Sequence, residues 1–153
     1  MLKRLAIVLF CGFSSVLSAA ELQVGQAFPT LQLQDQHNKT ITIQANAQTI
    51  LFTAEKPASE LLNQYLKAQP ANFMPQQQAY FIADISKMPS MITKLFALPK
   101  MREQPWSTLL VYNPQKTASI PRKANHVTCM KLHNTQIQSI QFIQDSGKLA
   151  ECF

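Results

Sequence analysis

Three short, predominantly apolar or β-branched runs punctuate the chain: Thr49–Thr53 (TILFT), Tyr80–Ile85 (YFIADI) and Thr108–Tyr112 (TLLVY). Runs of this length, bounded by polar segments, suit strands buried on both faces. Between the first two, Leu61, Leu62, Tyr65 and Leu66 recur at helical spacing. Glu60 lies in the first turn of that helix and Pro70 ends it. Between the second and third, Met88, Met91, Ile92, Leu95 and Phe96 mark one face of a second helix. Pro89 is tolerated in its first turn and Pro99 is expected to stop it. The helical spacing of the methionines favours core packing over soft-metal binding.

Upstream, Leu31 and Leu33 alternate with Gln32 and Gln34, a half-buried strand. Asp35–Lys39 has turn chemistry, and the β-branched Thr40–Ile43 would return as a hairpin partner. Asn72–Gln78 reads as a polar loop. Downstream, Asn113–Lys116 is a turn, Val127–Leu132 and Ile137–Ile143 pair as a hairpin, and Asp145–Phe153 has room for one or two helical turns. The order is hairpin, β, α, β, α, loop, β, hairpin, tail. Strand–helix–strand units demand right-handed crossovers and parallel pairs, and the hairpins add antiparallel strands. The expected fold class is therefore α/β: a mixed central β-sheet flanked by helices, with an N-terminal β-hairpin.

Composition narrows this. With 153 residues the chain has room for one domain, and its 46% hydrophobic content supplies a core. Residues 1–20 resemble a secretory signal peptide: Lys3 and Arg4, an apolar run from Leu5 to Phe13, then Ser18-Ala19-Ala20. That run is too short to span a bilayer, so no stable membrane anchor is expected after cleavage. A single domain would then occupy 21–153, in the periplasm or outside the cell. The net charge of +6 would fall to +4 without Lys3 and Arg4. Its cations are dispersed rather than clustered with aromatics, which argues against nucleic-acid binding.

Export changes how the cysteines are read. Cys129 and Cys152 would be the two left, and an oxidising compartment makes a structural disulfide the simplest expectation, with two free thiols as the alternative. Three glycines leave no room for a glycine-rich phosphate loop, and no cofactor is expected. His37, His126 and His133 lack the spacing of a metal site.

The lead VGQAFPTLQLQDQ (Val24–Gln36), the strand TILFTA and the segment ADISKMPSMITKLFALPKM together resemble exported thioredoxin-like and peroxiredoxin-like proteins of the periplasm. The resemblance implies a thioredoxin-like three-layer fold from about Val24 to Phe142. It also implies a reactive corner after the first central strand, where a cysteine at a helix start becomes a thiolate. Here that corner is Ala54-Glu55-Lys56-Pro57-Ala58-Ser59, without a cysteine. A second implied element is a cis-proline before a buried strand, shaping a groove for extended peptide. Pro105 is the candidate, with a cis Gln104–Pro105 bond and a groove walled by Lys100, Arg102 and Trp106 on one side and Glu55 and Lys56 on the other. The expected function is a binding or accessory module without a dithiol site, its partner an envelope protein or extended peptide. The alternative is a thiol-disulfide oxidoreductase using Cys129 and Cys152.

Overall fold

The computed structural model describes residues 19–153; the expected signal peptide falls almost wholly outside them. Seven strands form one sheet: β1 (Gln32–Asp35), β2 (Thr40–Thr42), β3 (Thr49–Thr53), β4 (Ala79–Asp84), β5 (Thr108–Val111), β6 (Val127–His133) and β7 (Gln136–Ile143). Their spatial order is β2-β1-β5-β4-β3-β6-β7. The three apolar runs, β3, β4 and β5, are the parallel centre, with Leu51 beside Phe81 and Phe81 beside Thr108. The hairpins flank them, β1 antiparallel to β5 and β6 antiparallel to β3.

Alternation along the central strands sends side chains to two cores. Leu51, Phe81, Ala83 and Leu110 face the helical side, while Ile50, Phe52, Ile82, Leu109 and Val111 face the other. The helical side is covered by α1 (Lys56–Lys67), which buries Ala58, Leu62 and Leu66, and by the short α2 (Phe73–Gln76), which buries Met74. The second side is closed by Phe28 from the lead-in and Ile120 from the segment that includes the 3-10 turn Pro114–Thr117. In the C-terminal hairpin the register shifts between Lys131 and Leu132, a bulge that lets Ile137 and Ile143 of β7 serve opposite cores.

Helix α3, over 90–102, departs from the sequence expectation in two ways. It runs through Pro99 instead of stopping there, because Thr93–Ala97 is a π-helical turn between the α-helical pieces Ser90–Ile92 and Leu98–Arg102. Leu98 N–H closes the wide turn on the Thr93 carbonyl, and Pro99 then falls in the first turn of the piece Leu98–Arg102, where a missing N–H is tolerated. The same turn sets Thr93 and Leu98, five residues apart, on the sheet side. Met91, Ile92, Leu95 and Phe96, expected in the core, are exposed.

The C-terminal 3-10 helix Ser146–Cys152 returns to the helical side. Cys152 is bonded to Cys129 of β6, with Cα atoms 6.0 Å apart, and Thr49 Oγ1 donates to the Cys152 carbonyl at 2.8 Å. Phe153 stacks on Tyr65 of α1 and meets Phe73 edge-on.

Candidate functional site

The carboxyl ends of β3 and β4 open onto a rim built from three segments. Thr53 ends β3, and Glu55 follows in extended backbone (φ −140°, ψ 153°) as the N-cap of α1. Pro57 sits in the first turn, where its missing N–H costs nothing. The Glu55 carboxylate does not cap its own helix; it accepts a short hydrogen bond from the backbone N–H of Asn125. Asn125 adopts φ +61°, a left-handed conformation that asparagine tolerates. The Ser59 and Thr53 hydroxyls are 2.7 Å apart. Among the described residues Ser59 therefore has a hydroxyl partner and no bonded imidazole or carboxylate to activate it as a nucleophile.

The second half of the rim is Arg122. Its guanidinium donates to Asp84 Oδ2 at 3.1 Å and to the Thr117 carbonyl at 2.8 Å, and lies 4.8 Å from the centroid of the Phe52 ring. The Asp84 side chain is 4% exposed and that of Arg122 is 35% exposed. Pairing thus neutralises a nearly buried acid while leaving one edge of the guanidinium in solvent. Asp84 Oδ1 also accepts from Ser86 N at 3.0 Å, capping the turn that follows β4. The loop itself is tied down by Thr128 Oγ1 donating to the Pro121 carbonyl at 2.7 Å. Sequence reading missed Arg122 and Asn125. The cue was Pro121-Arg122-Lys123, three residues before the strand that opens with Val127-Thr128.

The expected groove does not form. Lys100, Arg102, Gln104, Pro105 and Trp106 precede β5, which runs parallel to β4 and β3. A loop entering a parallel strand lies at the opposite sheet edge from a corner leaving its neighbour. Pro105 and Glu55 are thus separated by roughly 20 Å of strand length. The loop that meets Glu55 is the one entering β6. The Gln104–Pro105 bond is trans: the described residues contain no cis peptide.

Another residue organises the segment before β5. Gln36, 1% exposed, donates from Nε2 to the Trp106 carbonyl at 2.7 Å and accepts from Thr108 N at 2.8 Å. Its side-chain amide continues the β1–β5 ladder where the β1 backbone turns away. Arg102 Nε donates to the Gln36 carbonyl at 2.9 Å. Trp106 is a core residue, and its Nε1 has no hydrogen-bond partner among the described residues. Lys56 is exposed and pairs with Glu60 at 3.6 Å, a contact of little energetic weight.

Among the described residues no group of three or more His, Cys, Asp or Glu could hold a metal. A cleft of about 360 Å³ lies at the opposite edge, with Gln44, Met74, Tyr80 and Ser107 in an uncharged lining.

No family model matches this sequence, and no curated protein matches it. Solved structures do. A peroxiredoxin-like protein from Aquifex aeolicus is similar with a TM-score of 0.55 at 10% identity, over 89% of this chain and 91% of that one. The thioredoxin domain of a thiol-disulfide oxidoreductase from Bacteroides vulgatus gives 0.53 at 11%, over 86% and 97%. Peroxidoxin BcpB from Mycobacterium tuberculosis gives 0.55 at 11%, over 86% and 93%. The fold is thioredoxin-like. At these identities the likeness carries the fold alone, and the chemistry has to be argued from this chain's own residues.

Proposed function

We propose that this chain is an exported, periplasmic thioredoxin-fold protein that binds a partner instead of exchanging disulfides. One observation carries the reading: the helix start that would hold a thiolate holds Glu55, and the two cysteines of the described chain are bonded to each other inside the core. Cys129 is 1% exposed and Cys152 is fully buried. Exchange requires a thiolate to reach a disulfide sulfur in line, which a buried bridge prevents. The leader-like residues 1–20 support export, and no described helix is long and apolar enough to cross a membrane.

The recognition surface is the Glu55–Arg122–Asn125 rim, in place of the Pro105 groove. It offers a carboxylate, a half-exposed guanidinium and loop backbone at the carboxyl edge of the parallel strands, where open α/β sheets receive their ligands. An extended segment of an envelope protein fits this mixture of charge and backbone groups.

Insulin reduction by dithiothreitol tests the chemistry: the purified protein leaves the uncatalysed rate unchanged. Acceleration that disappears in Cys129→Ala/Cys152→Ala would establish the oxidoreductase alternative. A photo-crosslinker at Lys123 tests the surface. A discrete adduct is expected there and none from Lys67, at the far end of α1; equal labelling from both positions rules the rim out.

A further inference from the structure

Helix α3 holds four large apolar side chains in solvent. Met91, Ile92, Leu95 and Phe96 are 69%, 45%, 62% and 60% exposed. They stand at positions i, i+1, i+4 and i+5, one continuous helix face, while Thr93 and Leu98 dock the helix on the sheet. Single exposed apolar residues are ordinary; four together mark an interaction surface. Neither the cleft beside Tyr80 nor the shallow one beside Tyr112 is lined by any of the four, which form a ridge on the helix.

Between Asp84 and Glu103 the charge along the chain has one sign. Between Ile85 and Arg102 the chain carries Lys87, Lys94, Lys100 and Arg102 and no Asp or Glu. The three lysines are exposed, and none makes an ion pair among the described residues. Lys94 lies within the apolar stretch and the other two lie on either side of it in sequence. Their long stems can follow the apolar surface while the ammonium groups reach outward.

We propose that α3 seats the protein on an anionic lipid bilayer. An interfacial helix lies in the plane of the surface, its apolar face at the boundary between headgroups and acyl chains, with flanking cations on the phosphates. The observations favour an anionic lipid surface because every charged residue from Lys87 to Arg102 is cationic. None of the three lysines is paired with a carboxylate among the described residues, the complement of a phosphate-bearing bilayer. The proposal does not depend on the Glu55–Arg122 rim.

The test is flotation of the full chain with vesicles of phosphatidylglycerol and phosphatidylcholine. Wild type is expected to float, and Met91→Glu/Leu95→Glu to partition more than roughly tenfold less strongly. Lys94→Gln and Lys100→Gln should each weaken partitioning about fivefold. All four sites are exposed, so an unchanged urea midpoint verifies that the variants are folded. Residues 1–18 include their own apolar run, so a local readout is also needed. Phe96→Trp adds an indole at the ridge, whereas the native Trp106 is buried. Quenching of the added emission by brominated lipid in the anionic vesicles is the expected result. No quenching there, equal flotation of Met91→Glu/Leu95→Glu, or equal binding to pure phosphatidylcholine each overturns the proposal. So does a wild-type protein that ignores vesicles while those two glutamates abolish a protein complex.

Discussion

Gln36 shows how much one buried amide can decide. Its neighbours follow the alternation read from sequence, Leu33 inward and Gln32 and Gln34 outward. Asp35 then behaves as turn chemistry requires, its carboxylate accepting from the backbone N–H groups of His37 and Lys39. Gln36 breaks the pattern, because a glutamine within a polar turn gives no sign that a strand seventy residues away lacks a partner. Gln36→Leu would leave the Thr108 N–H and the Trp106 carbonyl unsatisfied in the interior. A loss of about 2–4 kcal/mol is expected from urea denaturation, against less than about 0.5 kcal/mol for Gln34→Leu on the exposed face.

At the scale of elements, the sequence periods identified the strands and the two longer helices. Helix α2, a single turn within the segment read as a polar loop, was too short to show a period. The periods carried less information about what each face meets. The Met91–Phe96 stripe has the spacing of a core face. Apolar periodicity cannot distinguish a face that meets its own sheet from one that meets something else, and the π-helical turn that makes the difference has no spacing signature. Helix α1 was more legible, with Leu62 and Leu66 buried as the period requires. Its Tyr65 is clamped by Phe153 and Phe73, and burial raises the phenol above its ordinary pKa. The neutral phenol is then favoured more strongly in the folded state than in the unfolded chain. That contribution is fully present below about pH 10 and is lost as pH rises through the folded-state value. Tyr65→Phe should accordingly flatten the alkaline fall of the urea midpoint, and a tyrosinate absorbance titration of wild type should contain one phenol that ionises late.

Across the whole molecule, the order of elements was enough to anticipate a mixed sheet with a parallel centre. It was not enough to place the site. The Pro105 groove required β5 to enter the sheet at the edge where β3 leaves it, and strand direction forbids this. The true neighbour of the corner, 121–126, was hidden because it belongs to the next connection along. The Cys129–Cys152 bridge was anticipated, and it fastens the C-terminal 3-10 helix to β6 across 23 residues of chain. Chain entropy assigns such a loop about 3 kcal/mol. Cys129→Ala/Cys152→Ala should lower the unfolding free energy by about that amount, measured by urea in the absence of reductant.

The sheet order also has a consequence in time. Gln34 pairs with Leu110 and Ile50 with Met130, so neither hairpin joins the parallel centre until more than seventy residues of chain have been looped out. Closing such loops comes before any reward from the contacts they make, which places sheets of this kind among the slower folders, on the order of milliseconds to seconds. Under the export proposed above, the polypeptide must stay unfolded until it has passed a narrow membrane channel. A sheet whose flanks close late would leave the time for that passage.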